Sequence, residues 1–224
     1  MAPSQPTQIF GRSANNVARA SILILILILA IVAVAGYMYV RSWYFTGQNA
    51  TIIQPVQFSH EHHVGGLGIG CRYCHTSVET SSFAGIPPTQ TCMNCHSVIW
   101  NTAPILQPVR DSWNKNQPLQ WTQVYNLPQY VYFNHSPHIA KGIGCETCHG
   151  RVDQMQQTYQ AVSLKMEWCL ACHRDPAKYI RPKDQVYTMG YVPAQPQSVL
   201  GPQLVMQYKV LDARTLTSCS TCHR

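Results

Sequence analysis

Five copies of one short motif, Cys-x-x-Cys-His, constrain the fold of this chain more than any other feature of its 224 residues. The copies begin at Cys71, Cys92, Cys145, Cys169 and Cys219, and they use all ten cysteines and five of the ten histidines. This motif is the signature of covalent haem c attachment, in which both thiols add to haem vinyl groups and the histidine binds the iron. The sequence therefore predicts five covalent haems c.

Other uses of paired cysteines account less well for this pattern. A disulfide framework is typical of small exported domains with an even number of cysteines, and zinc ribbons also use paired Cys-x-x-Cys. Neither requires a histidine directly after every second cysteine. The predicted attachment residues are Cys71, Cys74, Cys92, Cys95, Cys145, Cys148, Cys169, Cys172, Cys219 and Cys222. The predicted proximal iron ligands are His75, His96, His149, His173 and His223.

An internal repeat surrounds the first four motifs. The group Phe58, His60, His63 and Cys71 recurs in the same order as Phe133, His135, His138 and Cys145, and its spacing is kept except for a single deletion in the glycine stretch before the cysteine. A further motif follows each group, at Cys92 and at Cys169. The repeat predicts two-haem modules at 56–99 and 131–175, linkers at 100–130 and 176–218, and a fifth haem at 219–224.

The repeat also predicts distal iron ligands. Phe-x-His-x-x-His places two imidazoles one helical turn apart, from where they can reach two adjacent haems. His62 aligns with Pro137, which cannot bind iron, so His62 is left out of the set. The predicted distal ligands are His60, His63, His135 and His138. Bis-histidine iron has no open position, which suits electron transfer rather than substrate chemistry.

The fifth motif has no histidine pair of its own, so its distal ligand must come from elsewhere. Met189 is the first candidate, because it lies in the linker that leads to this motif and is followed by turn-forming Gly190. Met166 and then His62 are the alternatives. Methionine ligation raises the potential of a haem relative to bis-histidine ligation.

Near the N-terminus, residues 21–40 form an apolar run without a charge. Twenty residues in a helix span roughly 30 Å, the thickness of the hydrocarbon core. A signal peptide with a cleavage site at residues 33–35 is the alternative, but the run continues past that site. We therefore expect a retained transmembrane helix at 20–41 after a cytoplasmic tail at 1–19, which carries Arg12 and Arg19.

The rest of the chain, residues 42–224, is expected on the periplasmic or outer side of the inner membrane, since haem c is attached there. It shows neither a long amphipathic helix nor a series of alternating strands. The predicted fold is mostly coil with short α-helices wrapped round five haems. The formal net charge of +7 omits the haem propionates, so it predicts no binding to nucleic acid.

The histidine pairs and motifs resemble those of class III multihaem cytochromes. In that resemblance His60 serves the Cys71 haem and His135 the Cys145 haem, while His63 and His138 serve other haems, such as those at Cys92 and Cys169. Segments such as CRYCHTSVETSSFAGIPPTQTCMNCH and the terminal CSTCHR further resemble the pentahaem subunit of bacterial alternative complex III, a membrane quinol oxidoreductase.

The second resemblance implies that the chain carries electrons and does not hold the quinol site itself. It also implies partners: quinol-oxidising membrane subunits, an iron–sulfur subunit and other haem subunits, with a soluble copper or haem carrier or a terminal oxidase as acceptor.

Two other functions are alternatives to this electron-carrying role. A self-sufficient quinol dehydrogenase that serves a periplasmic reductase would place its first motif close to the membrane, whereas residues 41–70 separate Val40 from Cys71. Catalysis at haem would need an open iron position, whereas all five motifs end in histidine.

Overall fold

The structure is a computed structural model that describes residues 10–11 and 13–223. Most of the predicted cytoplasmic tail, including Arg12, and the final residue, Arg224, lie outside the described residues. The chain divides into two compact units, Met1–Thr46 and Gly47–Arg224.

The first unit is dominated by one long helix, α1 (Ala14–Arg41). It begins before the predicted span, because Ala14, Ala18 and their neighbours continue the helix into the polar segment. It ends at Ser42, whose backbone is extended. This helix is long and apolar enough to cross a membrane, as a membrane anchor or a signal sequence would be. None of its described side chains is buried.

A short helix, α2 (Trp43–Thr46), lies at the end of the first unit. The second unit contains short helices joined by long loops. Its helices are α3 (Cys71–Cys74), α4 (Thr89–His96), α5 (Gln107–Lys115), α6 (His135–Ala140), α7 (Cys145–His149), α8 (Met166–Arg174), α9 (Gln197–Gln207), α10 (Ala213–Leu216) and α11 (Cys219–Cys222). A single π-helical turn covers Glu61–Gly66. Within residues 10–11 and 13–223 there is no β-strand, only isolated bridges such as that between Gln48 and Gln160. The prediction of mostly coil with short helices is confirmed.

The two predicted linkers are more ordered than their sequences indicate. Helix α5 begins beside Pro108, whose fixed φ suits a first turn, and ends at Asn116 in the left-handed conformation. Helix α9 packs on the 3-10 turn Pro176–Lys178. Gly201 permits this contact, since a Cβ there would overlap the carbonyl oxygen of Ala177.

The core formed by side chains is small. In the described part of the chain, only eight apolar side chains are buried: Val56, Val78, Leu106, Val109, Met155, Ile180, Val186 and Leu204. One cluster of Val56, Leu106 and Val109 packs against Cys92 and Met93 of the second motif. A unit of this length ordinarily buries much more apolar surface, so most of its packing must come from something other than side chains.

Candidate haem-binding sites

Each motif folds as one helical turn that sets its two cysteines on one side of the helix. The first, third and fifth motifs form the short helices α3, α7 and α11, whereas the second and fourth lie at the C-terminal ends of α4 and α8. The ten cysteines, all within the described residues, form no disulfide, and none is fully buried. No three His, Cys, Asp or Glu side chains of the described residues converge as a metal ion held by the protein alone would require.

Four pairs of imidazole rings, one ring of each pair belonging to a motif, lie at similar separations. The ring centroids are 6.5 Å apart for His60 and His75, 6.2 Å for His63 and His96, 6.3 Å for His135 and His149, and 6.1 Å for His138 and His173. We call these the four imidazole pairs. The pairings of His60 with His75 and of His135 with His149 are those that the resemblance to class III cytochromes implies, whereas the partners of His63 and His138 were left open.

The separation within the imidazole pairs fits one iron between each two rings. Two metal–imidazole bonds of about 2 Å each, plus the distance from each coordinating nitrogen to its ring centre, place the centroids roughly 6 Å apart. In three of the pairs the ring planes are within 28° of parallel, and in the pair of His63 and His96 they are inclined by 70°. The residues present therefore fit a bis-histidine haem at each of four motifs.

The hydrogen bonds of the histidines leave the same nitrogen available in most of them. Seven histidines place Nδ1 2.7 to 3.1 Å from a backbone carbonyl oxygen: His63, His75, His96, His135, His138, His173 and His223. A carbonyl oxygen can only accept, so Nδ1 must donate the proton and Nε2 keeps its lone pair. Iron-binding histidines need this tautomer, and the carbonyl also fixes the orientation of the ring.

Burial keeps several of these imidazoles neutral. Burial, together with the nearby His75 and His63, lowers the pKa of His60 to about 4. Burial, followed by the nearby His135, His75 and His60, lowers the pKa of His149 to about 4. The pKa of His138 is also lowered, chiefly by burial. A neutral imidazole is the form that binds a metal.

The two repeated phenylalanines contact both histidines of their own group. The Phe58 centroid lies 4.9 Å from that of His60 and 4.5 Å from that of His63. The corresponding distances from Phe133 are 4.8 Å to His135 and 4.7 Å to His138. Each phenylalanine thus holds the two histidines of its own group at a fixed spacing.

The fifth motif is placed differently from the other four. His223 donates through Nδ1 to the carbonyl of Tyr130 at 3.1 Å, and the two rings lie 5.9 Å apart. A bridge joins His223 to Val131, and Tyr132 N donates to the carbonyl of Cys222. This motif is therefore docked on the segment that leads into the second histidine group.

The three candidates for the fifth distal ligand lie in different surroundings. Met189 is half-buried, and its neighbour Gly190 donates to the carboxylate of Glu146 at 2.9 Å, beside the third motif. Met166 is 65% exposed at the start of α8. His62 is exposed, with its ring 5.9 Å from that of Trp100. The distal ligand of the fifth motif stays a prediction.

Two contacts at the third motif were not predicted from the sequence. Tyr125 lies 4.4 Å from the ring of His149, donates to the carbonyl of Cys148 and accepts from the backbone N–H of Ala161. Burial is the main cause that raises the pKa of Tyr125 to about 12, so its hydroxyl stays protonated. A tyrosine in an irregular linker carries no sequence signal for such a role.

The second unpredicted contact surrounds Glu146, which lies between the cysteines of the third motif. Its carboxylate is 3.8 Å from the guanidinium groups of both Arg151 and Arg181. Arg181 is buried and fills the space above Gly144, where a Cβ would overlap its guanidinium group. These contacts hold the third motif against the segment that contains Met189.

Comparison with known proteins agrees with this geometry. Residues 131–224 match the family described as cytochrome c7 and related cytochrome c. The multiheme cytochrome c subunit of menaquinone reductase from Nitratidesulfovibrio vulgaris (strain Hildenborough) is 32% identical over 125 residues, covering 55% of this chain and 53% of the relative. The chain thus spans about half the length of that relative. It is similar to multihaem c-type cytochromes, and this similarity implies covalently bound haem c.

Proposed function

We propose that this chain is a membrane-anchored pentahaem cytochrome c that transfers electrons within a quinol-linked membrane complex. The two cysteines of each motif attach one haem. Four irons are held by the four imidazole pairs, and the fifth by His223 with Met189 as the predicted partner. The haems supply one-electron redox chemistry, while the chain fixes their ligands and excludes water from them.

The four imidazole pairs are the observation that carries this proposal. Each pair combines a motif histidine with a histidine of the repeated groups, at 6.1 to 6.5 Å between ring centroids. Six of the eight histidines in these pairs donate a hydrogen bond from Nδ1–H to a backbone carbonyl oxygen. Two ligands from the protein leave no open position on the iron, which supports electron transfer rather than catalysis by this chain alone.

The proposed cellular position rests on α1 and on haem attachment. Helix α1 anchors the chain in the inner membrane, and the second unit lies on the periplasmic or outer side. The resemblance to the pentahaem subunit of alternative complex III supports partners that oxidise quinol in the membrane. Electrons from quinol reach this chain through an iron–sulfur subunit. They leave through haem proteins toward a soluble copper or haem carrier or a terminal oxidase.

Haem stoichiometry tests the proposal directly. A pyridine haemochrome assay on the mature protein should return five haems per chain that resist extraction by acid–acetone. The double variant Cys219→Ala, Cys222→Ala should return four. A wild-type count of four or fewer, or extractable haem, contradicts the proposal.

The partners are tested by purifying the chain from its native membrane. A polytopic quinol-binding subunit and an iron–sulfur subunit should purify with it in constant ratio. Quinol oxidation by the isolated chain would instead identify a self-sufficient quinol dehydrogenase.

A second candidate concerns the direction of electron flow. The relative from N. vulgaris is named a menaquinone reductase, which favours transfer toward menaquinone rather than away from a quinol. The two directions are separated by assaying the purified complex both ways. The interpretation based on alternative complex III expects reduction of the haems by menaquinol, whereas the second candidate expects reduction of menaquinone by the pre-reduced complex.

A further inference from the structure

In the second unit, the motifs, their ring partners and the adjacent loops contact one another. These contacts show which motifs are neighbours in space. The first and second motifs are in contact, since Asn94 of the second donates to the hydroxyl of Tyr73 in the first at 3.2 Å.

The loop that follows the first motif also contacts the ring partner of the third. His135, the distal histidine opposite the third motif, donates through Nδ1 to the carbonyl of Ser82 at 2.8 Å, in the loop that follows the first motif. The first and third motifs, which are far apart in the sequence, are therefore neighbours in space.

The third motif in turn lies beside the fourth. Phe133 contacts both His135 and His138, which are the ring partners of the third and fourth motifs respectively.

The fourth motif contacts the fifth. His173 donates through Nδ1 to the carbonyl of Leu216 at 2.9 Å, shortly before the fifth motif. Helix α10, which ends at Leu216, packs on α8.

Four contacts that join five motifs in this way describe an unbranched line. We propose that the motifs follow one another in space in the order second, first, third, fourth, fifth, so that those of Cys92 and Cys219 stand at the two ends. This order rests on the proposed function, because it matters only when each motif carries its haem. The electron donor and the electron acceptor then bind at opposite ends of the line. Every electron that the donor loses at one end is gained by the acceptor at the other.

The order predicts which haems influence each other. In the variant Cys219→Ala, Cys222→Ala, which lacks the fifth haem, the largest change in reduction midpoint should fall on the haem at Cys169. The matched variant at the other end, Cys92→Ala, Cys95→Ala, should change the haem at Cys71 most. In each variant the haems at the opposite end should keep their midpoints. Potentiometric titration followed by paramagnetic NMR of the haem methyl groups gives the individual midpoints.

Iron positions in the wild-type protein give a second measurement that does not depend on the folding of a variant. Anomalous diffraction at the iron edge of the haem-loaded full chain should find the shortest iron–iron separations between the motif pairs named above. A branched arrangement, or a fifth haem nearest to that of Cys71 or Cys92, overturns the order. A failure of the proposed function would be seen separately, as a wild-type haem count below five.

Discussion

Replacing His138 by Ala should convert one haem of the protein from low spin to high spin and leave the others unchanged. His138 lies 6.1 Å from His173 between ring centroids, with its Nδ1 held by the carbonyl of Asn134. The methyl group of Ala cannot reach the iron, and the backbone of α6 is otherwise unchanged. Since the chain has five motifs, about one fifth of the iron should change spin state if each motif holds one bound haem.

Electron paramagnetic resonance and the visible spectrum of the oxidised protein measure this fraction. Ser136→Ala is the matched control, because Ser136 lies on the same helix, α6, and its hydroxyl donates to the side chain of Asn134 rather than taking part in an imidazole pair. The control should keep the wild-type spectrum. The reasoning fails if His138→Ala keeps the wild-type spectrum, or if both variants lose the same low-spin fraction.

Three further predictions test other parts of the structure. Met189→Ala should abolish a weak near-infrared sulfur-to-iron band and the highest-potential step of the redox titration; if both persist, Met189 is not the ligand. Tyr125→Phe should lower the free energy of unfolding in guanidinium by about 1–3 kcal/mol, because it leaves a backbone N–H unpaired. Tyr130→Phe, which removes a hydroxyl from a side chain that is 63% exposed, should change it little; equal losses would contradict the role of Tyr125. Gly201→Ala should lower the free energy of unfolding by about 1–3 kcal/mol through overpacking. Ser198→Ala, on the exposed side of α9, is the control, and an unchanged unfolding midpoint of Gly201→Ala would contradict the prediction.

The sequence predicted the parts of the site that repeat locally. Cysteine spacing and the two histidine groups are short-range patterns, so Cys71, His60 and His135 could be assigned by their position in the chain alone. The contact of Tyr125 with His149 could not, because it depends on how two irregular loops meet, and such loops have no periodicity to read.

The same limit applies to the linkers and to the order of the motifs. The sequence of α9 gives a weak helical pattern, and its position is fixed by the fit of Gly201 on Ala177 rather than by propensity. The contact between His135 and the carbonyl of Ser82 joins distant segments, and only the folded chain shows it. Candidate ligands could therefore be proposed from local patterns, whereas the long-range packing between motifs could not.

The small side-chain core bears on the steady-state amount of this protein in the cell. Where bound cofactors provide most of the packing, their binding free energy is folding free energy. Under the proposed function, a chain that has not yet received its haems is then an open polypeptide, exposed to proteases. Haem supply, acting through degradation of the unfilled chain, should therefore set the steady-state amount of the protein independently of its rate of synthesis.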